Sequence, residues 1–270
     1  MPGTAPAPAA APIPWRYLVS EPLDGADNMA WDQALMARAR RTGEAVLRVY
    51  AWRRPTLSLG RNQTARGAYD LARAADLGVD IVRRPTGGRA LLHHREVTYS
   101  VTAPEAFDAT LRGAYDRINA LLLAALRSLG VPAQLSGPRT RTPSPGLAPC
   151  FDEPAAGEIV VNGRKLVGSA QWRHDGALLQ HGSILLHDDQ GLIDRLLSTP
   201  RAVVTPPAAT LARVLGDAPS FASVARALVD ALRAEYPAAA PLDAGADGTL
   251  RDDAVRAGDE FRREDWTWKR

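Results

Sequence analysis

From Asp24 to Arg41 the apolar and small residues Ala30, Trp31, Ala34 and Leu35 recur three and four positions apart, with Arg38 continuing the series. That spacing predicts a helix, and Gly43 sits where such a helix would stop. The period then falls to two. Val46 to Trp52 and Thr56 to Leu59 read as strands, and Ala65 to Leu77 reads as a second amphipathic helix closed by Gly78. Val79–Arg84 and Arg89–His93 are β-rich runs joined through Pro85-Thr86-Gly87-Gly88, with Val97–Thr102 after them. The simplest expectation is an antiparallel sheet built around a glycine loop. Leu111, Ala114, Tyr115, Ile118, Leu121, Leu122, Ala125 and Leu129 mark the longest helix, ended by Gly130, and its apolar face is expected to lie on the sheet.

The second half begins with Ser136–Pro149, whose four prolines predict a long irregular loop leading to Cys150. Glu158–Val161 and Arg164–Gln171, joined by Asn162-Gly163, give the clearest hairpin signal in the chain. A second turn at Asp175-Gly176 feeds a strand from Ala177 to Leu186, and helices are expected near 189–198, 210–215 and 221–235. Residues 238–248 read as a linker before a last helix starting near Thr249. Residues 1–14 carry too little apolar bulk and too much proline to fold, so they are expected to form a disordered leader. The expected organisation is therefore leader 1–14, a catalytic domain over 15–236, and a linker with a C-terminal helix over 237–270 packing on that domain. Alternation of helices with hairpins predicts an α+β fold with a mixed, mostly antiparallel sheet flanked by helices.

Composition narrows the function. Of 270 residues, 46% are apolar, yet the longest strictly apolar stretch, Ala120–Leu126, is far short of the ~20 residues that cross a bilayer. The first residues lack the charged start and apolar run of a signal peptide, so a cytoplasmic protein without a membrane partner is expected. One cysteine, Cys150, allows no intrachain disulfide and no cysteine-built metal site. Net charge is only +3, aromatics are 6%, and acidic residues are interspersed, which argues against nucleic acid and leaves room for an acidic protein partner. Only Lys165 and Lys269 are lysine, so 31 of the 33 basic residues are arginine. An ammonium at Lys165 then stands out, because lysine can lose its proton and arginine effectively cannot.

Four features carry candidate chemistry. Gly87-Gly88, flanked by Arg83 and Arg84, lets main-chain amides approach a carbonyl or an anion, although a glycine pair between strands is also an ordinary turn. Strand alternation puts Lys165, Val167, Ser169 and Gln171 on one face and Leu166, Gly168 and Ala170 on the other. The small face suits a close-packed backbone or a narrow acyl tunnel, and a solvated polar face is the alternative for the other side. Cys150 on an irregular loop is a candidate nucleophile or an inert buried thiol. His93, His94, His181 and His187 lack zinc spacing, and no metal site is expected; His181 is expected to bond its neighbours or line the ligand site.

Five segments in order and spacing carry a resemblance: DGADNMAWDQAL at 24–35, LRVYAWRRPTLSLGRNQ at 47–63, DIVRRPTGGRALLHHREVTYSV at 80–101, GRKLVGSAQ at 163–171 and LQHGSILL at 179–186. Together they resemble the biotin/lipoate protein ligase superfamily, and within it the octanoyltransferases built on the lipoate-ligase A scaffold. The ATP-dependent ligases usually have a third glycine where Arg89 stands and need no cysteine. The resemblance implies the class II aminoacyl-tRNA synthetase and biotin-lipoate ligase type of fold. It implies octanoyl transfer from octanoyl-acyl carrier protein, by way of an acyl-cysteine, to a lysine of a lipoyl domain such as the glycine-cleavage H protein. Cys150 and Lys165 are the implied catalytic residues. Arg84, Thr86, Gly87, Gly88, His93, Gly168, Ser169, Gln171, His181 and Gly182 are the implied substrate-binding residues. A monomer needing no cofactor is expected. An ATP-dependent lipoate ligase, an amidotransferase between lipoyl domains, and a non-catalytic carrier-binding module are the alternatives. A side chain added at Gly88 is expected to block the acyl chain while the fold survives.

Overall fold

A computed structural model describes residues 12–137, 157–200 and 207–270. Its strands are β1 (Trp15–Val19), β2 (Ala45–Tyr50), β3 (Thr56–Leu59), β4 (Asp80–Arg83), β5 (Leu91–His93), β6 (Glu96–Pro104), β7 (Gln134–Leu135), β8 (Ile159–Val161), β9 (Arg164–His174), β10 (Ala177–Leu185) and β11 (Ala240–Pro241). The helices are α1 (Gly25–Thr42), α2 (Leu71–Asp76), α3 (Leu111–Ser128), α4 (Leu192–Leu196), α5 (Leu211–Leu215), α6 (Phe221–Glu235), α7 (Gly248–Arg262) and α8 (Glu264–Thr267). None of the described helices is long and apolar enough to cross a membrane.

The large sheet runs β11-β1-β2-β6-β10-β9-β8-β7. Its β11/β1/β2 edge is parallel and the remaining pairs are antiparallel, which is the mixed, mostly antiparallel sheet expected. Asn162 and Gly163 adopt φ of 49° and 73°, and Asp175 and Gly176 adopt 50° and 75°. Left-handed pairs of this kind match the twist of the strands they join, which is why both dipeptides make two-residue hairpins. One face of the sheet is covered by α3 and α6. Ala114, Ile118, Leu121, Leu122, Ala125 and Leu126 of α3 lie in one core with Leu47, Val49, Tyr99, Val101 and Leu228. Thr110 caps α3 by accepting from the Gly113 amide, and Gly130 turns the chain away at φ 84°.

The other face carries α1, which buries polar Asn28, Asp32 and Arg38 beside Met29, Leu35 and Met36. Helix α7 lies over α1, with Leu250 and Ala254 against Ala34 and Leu35, so α1 is enclosed on two sides. This double burial explains why its apolar spacing alone understates its contacts.

Several expectations are corrected. β4 and β5 do not pair with each other; the small sheet runs β4-β3-β5, with β3/β4 parallel and β3/β5 antiparallel. The glycine segment thus crosses over β3 and is not a hairpin turn. The helix expected over 65–77 is only Leu71–Asp76, because Ala65 and Arg66 give their amides to the Arg270 carbonyl and Tyr69 bridges to Leu197. The helix near 189–198 shortens to Leu192–Leu196 for the same reason. The stretch 238–248 is not only linker, since Ala240 and Pro241 pair in parallel with β1. β1 itself, in Trp15–Val19, was hidden by its continuous half-buried pattern.

Candidate active site

The glycine loop is braced from below by two buried guanidiniums. Arg83 donates to the carbonyls of Gly60 (2.6 Å), Gln63 (2.8 Å) and Thr267 (2.8 Å). Arg84 donates to Ser58 O (3.0 Å), Gly87 O (2.9 Å) and Arg89 O (2.8 Å). Their planar forks therefore serve the main chain around the loop. Gly88 has φ 96°, and a Cβ there would lie 2.7 Å from the Arg84 guanidinium. A Cβ at Gly60 would meet the Gly88 carbonyl at 1.9 Å. Both glycines are dictated by backbone geometry, so a side chain at Gly88 strains the loop as well as entering the cavity. Gly87 faces open space, with nothing within 4 Å of a Cβ.

Above the loop a narrow cavity is lined by Met29, Trp52, Leu91, Arg84, Gly88, His93, Gly168, Ser169, His181 and Gly182 among others. Seven of the anticipated site residues therefore meet there. Strand register explains it: Gly168 opposes Ser183, Ser169 opposes Gly182 and Ala170 opposes His181, so the small residues of β9 and β10 leave the space open. Apolar walls and glycine edges suit a hydrocarbon tail.

Two buried histidine systems form its polar side. His181 Nδ1 lies 2.9 Å from Asp32 Oδ2 and its Nε2 lies 2.7 Å from Thr86 Oγ1. Asp32 also accepts from Arg48 (3.0 Å), Tyr50 (3.0 Å) and Ser100 (2.8 Å). Burial alone would raise its pKa, but His181 and Arg48 outweigh it and hold the carboxyl below its ordinary range. Burial pushes His181 down, against the pull of Asp32. It pushes the Tyr50 hydroxyl well up, with Asp32 adding to it. His93 bridges Glu96 (2.7 Å) and Ser58 (2.8 Å) and stacks on Trp52 at 4.0 Å between ring centroids. Thr98 and Ser183 also donate to that Glu96 oxygen. His94 instead points to Asp189 at the surface.

Thr86, Gly87, Lys165 and Gln171 are not among the residues lining the cavity. Lys165 is buried and donates to Glu158 Oε1 at 2.6 Å, on the face of β9 that alternation gives it. On that same face Ser169 meets the Tyr99 hydroxyl at 2.7 Å, and the Gln171 amide lies 2.9 Å from that of Gln180. Tyr99 is pushed up by burial. Cys150 lies outside the described residues. Asp32, Glu96 and Glu158 were missed from sequence. Asp32 follows Asn28 by one helical turn on the buried side of α1, which is the signal that would have exposed it.

Comparison with known proteins gives the family. Residues 24–233 match the model of the lipoyl protein ligase A/B catalytic domain. An octanoyltransferase LipM from Symbiobacterium thermophilum is 44% identical over 195 residues, 70% of this chain and 71% of the relative. Another from Exiguobacterium sibiricum is 36% identical over 95% of this chain and 99% of its own length. Lipoate-protein ligase A bound with ATP superposes with a TM-score of 0.75 at 21% identity, covering 95% of this chain and 99% of that one. A bipartite lipoate protein ligase from Thermoplasma acidophilum gives 0.74 at 20% identity, covering 95% and 96%. The solved structures fix the fold and the relatives fix the branch: the chain belongs to the lipoyl protein ligase A/B catalytic domain family, among its lipoate-ligase-A-like octanoyltransferases.

Proposed function

We propose that this acyltransferase moves an octanoyl group from octanoyl-acyl carrier protein to a lysine of a lipoyl domain, through a thioester on Cys150, in lipoate biosynthesis. The observation that carries the reading is the largely apolar cavity that has Gly88 on one side and Gly168, Ser169 and Ala170 on the other. The relatives from Symbiobacterium and Exiguobacterium are octanoyltransferases, and the Thermoplasma ligase is known together with its E2 lipoyl domain.

The chemistry balances without ATP. The Cys150 thiolate attacks the donor thioester carbon; a new S–C bond forms, the old one breaks, and the carrier leaves as a thiol with one proton. The acceptor amine then attacks the acyl-cysteine, an amide forms, and the cysteine sulfur departs as the amine loses a proton. The first exchange is nearly isoenergetic and the second is downhill. The loop amides of Gly87 and Gly88 are assigned to the thioester carbonyl, where charge develops. Lys165, outside the cavity lining, is assigned to favouring the Cys150 thiolate, and Glu158 to holding its ammonium.

A donor panel with one lipoyl domain as acceptor tests the reading. Octanoyl-acyl carrier protein alone is expected to modify the acceptor. If octanoate plus ATP does so and the carrier thioester does not, the protein is a ligase. If only an octanoylated lipoyl domain serves as donor, it is an amidotransferase.

A further inference from the structure

Asp32 is fully buried and its carboxylate accepts from four groups: Arg48, Ser100, Tyr50 and His181. An ionised carboxylate only accepts, so His181 Nδ1 must carry the ring proton that points at it. In a neutral imidazole Nε2 is then an acceptor, and the Thr86 hydroxyl 2.7 Å away must be its donor. The Thr86 carbonyl is held independently, accepting from the Arg61 amide at 2.8 Å. Thr86 is thus fixed by both side chain and main chain directly before Gly87 and Gly88. Those two have no side chains with which to anchor themselves: a Cβ at Gly87 would meet nothing within 4 Å, and Gly87 is held through its main-chain carbonyl, by Arg84 at 2.9 Å.

We infer that Asp32 and His181 are positioning residues for the acyl-transfer site, acting through the Thr86 hydroxyl to fix where the Gly87 and Gly88 amides point. The inference rests on the reading that those amides meet the donor's thioester carbonyl. Neither Asp32 nor His181 exchanges a proton with substrate in this scheme. They set the tautomer, and the tautomer sets the direction of the threonine's hydrogen bond. Removing that bond loosens donors aimed at a developing oxyanion, so the loss falls on the acylation step and not on donor binding.

The experiment measures octanoyl-adduct formation on the full chain from octanoyl-acyl carrier protein, by quenched-flow and intact mass, for wild type, Thr86→Val, Thr86→Ser, Asp32→Asn and the Thr86→Val/Asp32→Asn double variant. Thr86→Val is expected to slow acylation at saturating donor by about tenfold or more with the KM within about twofold, and Thr86→Ser to regain most of the rate. Asp32→Asn should slow it comparably, and the double variant should be no slower than the slower single, because both cut one chain. Folded Thr86→Val that acylates at the wild-type rate overturns the inference, as do losses that multiply in the double variant. If Asp32→Asn does not fold once Arg48 loses its ion pair, the valine and serine variants at 86 decide alone. No adduct on the wild type overturns the transfer reading, and this inference with it; an adduct formed equally by wild type and Thr86→Val overturns the inference only.

Discussion

Lys165 and Glu158 are both buried, and such a pair is costly to break by halves because the remaining charge is left in a poor solvent. Lys165→Ala is therefore expected to lose about 3 kcal/mol or more of stability as well as transfer. The Lys165→Ala/Glu158→Gln double variant should recover much of that stability in a denaturant melt and none of the activity. Recovery of both would confine the lysine to a structural role. His181 gives a pH prediction. Burial lowers its folded pKa, so below the unfolded value of ~6.5 the unfolded chain binds a proton that the native state does not. Stability is full above pH ~6.5 and falls as pH drops from there toward the folded pKa, by at most ~1.4 kcal/mol per pH unit from this group. Asp32, whose pKa is depressed, adds its loss only lower, as pH falls from ~3.9 through its folded value. Denaturant titrations between pH 7.5 and 5 should give a smaller slope for His181→Gln than for wild type. Equal slopes would show that the ring titrates normally.

At the level of elements, the site lies where the crossover from β4 to β5 passes under the β9–β10 pair, and glycine sets both approaches. Gly87→Ala is expected to fold within about 0.5 kcal/mol of wild type, because its Cβ enters open space. Gly88→Ala combines φ 96° with an encounter with Arg84, so it should cost roughly 1–3 kcal/mol and disorder the loop. Thermal melts of the two variants check the contrast; similar melting points would mean that the loop relaxes freely around Gly88. The hairpins at Asn162-Gly163 and Asp175-Gly176 and helix α6 were legible in sequence because each is defined by local turn chemistry or one-sided amphipathicity. The β4-β3-β5 order was not, since pairing partners lie outside any local window. The shortened helix at Leu71–Asp76 escaped for the same reason: Tyr69 and Ala65 are spent on the distant Leu197 and Arg270. In the site, Gly88, Gly168 and His181 stood out in the sequence, while Asp32, Glu96 and Glu158 did not, because burial of a charge is a tertiary fact.

Across the whole molecule the chain's two ends of sequence serve one place. Helix α1 brings Asp32 to the sheet, and the C-terminal segment returns to clamp the loop, with the Trp266 indole donating to Arg83 O and Arg83 donating to Thr267 O. The Asp32 carboxylate is buried between α1 and the sheet strands that carry Arg48, Tyr50, Ser100 and His181, out of water where its bonds are strong. Thirty-one arginines on a protein of pI near 9.3 also suit capture of acidic carrier and lipoyl domains, which the transfer reading requires at two successive steps. That reading depends above all on a covalent octanoyl-enzyme at Cys150. The most direct measurement incubates the protein with octanoyl-acyl carrier protein, weighs the intact chain, and then adds a lipoyl domain. The wild type is expected to gain one octanoyl mass that passes to the acceptor on its addition, and Cys150→Ala to gain none; an adduct that persists in Cys150→Ala, or acceptor octanoylation at full rate by that variant, would contradict the account.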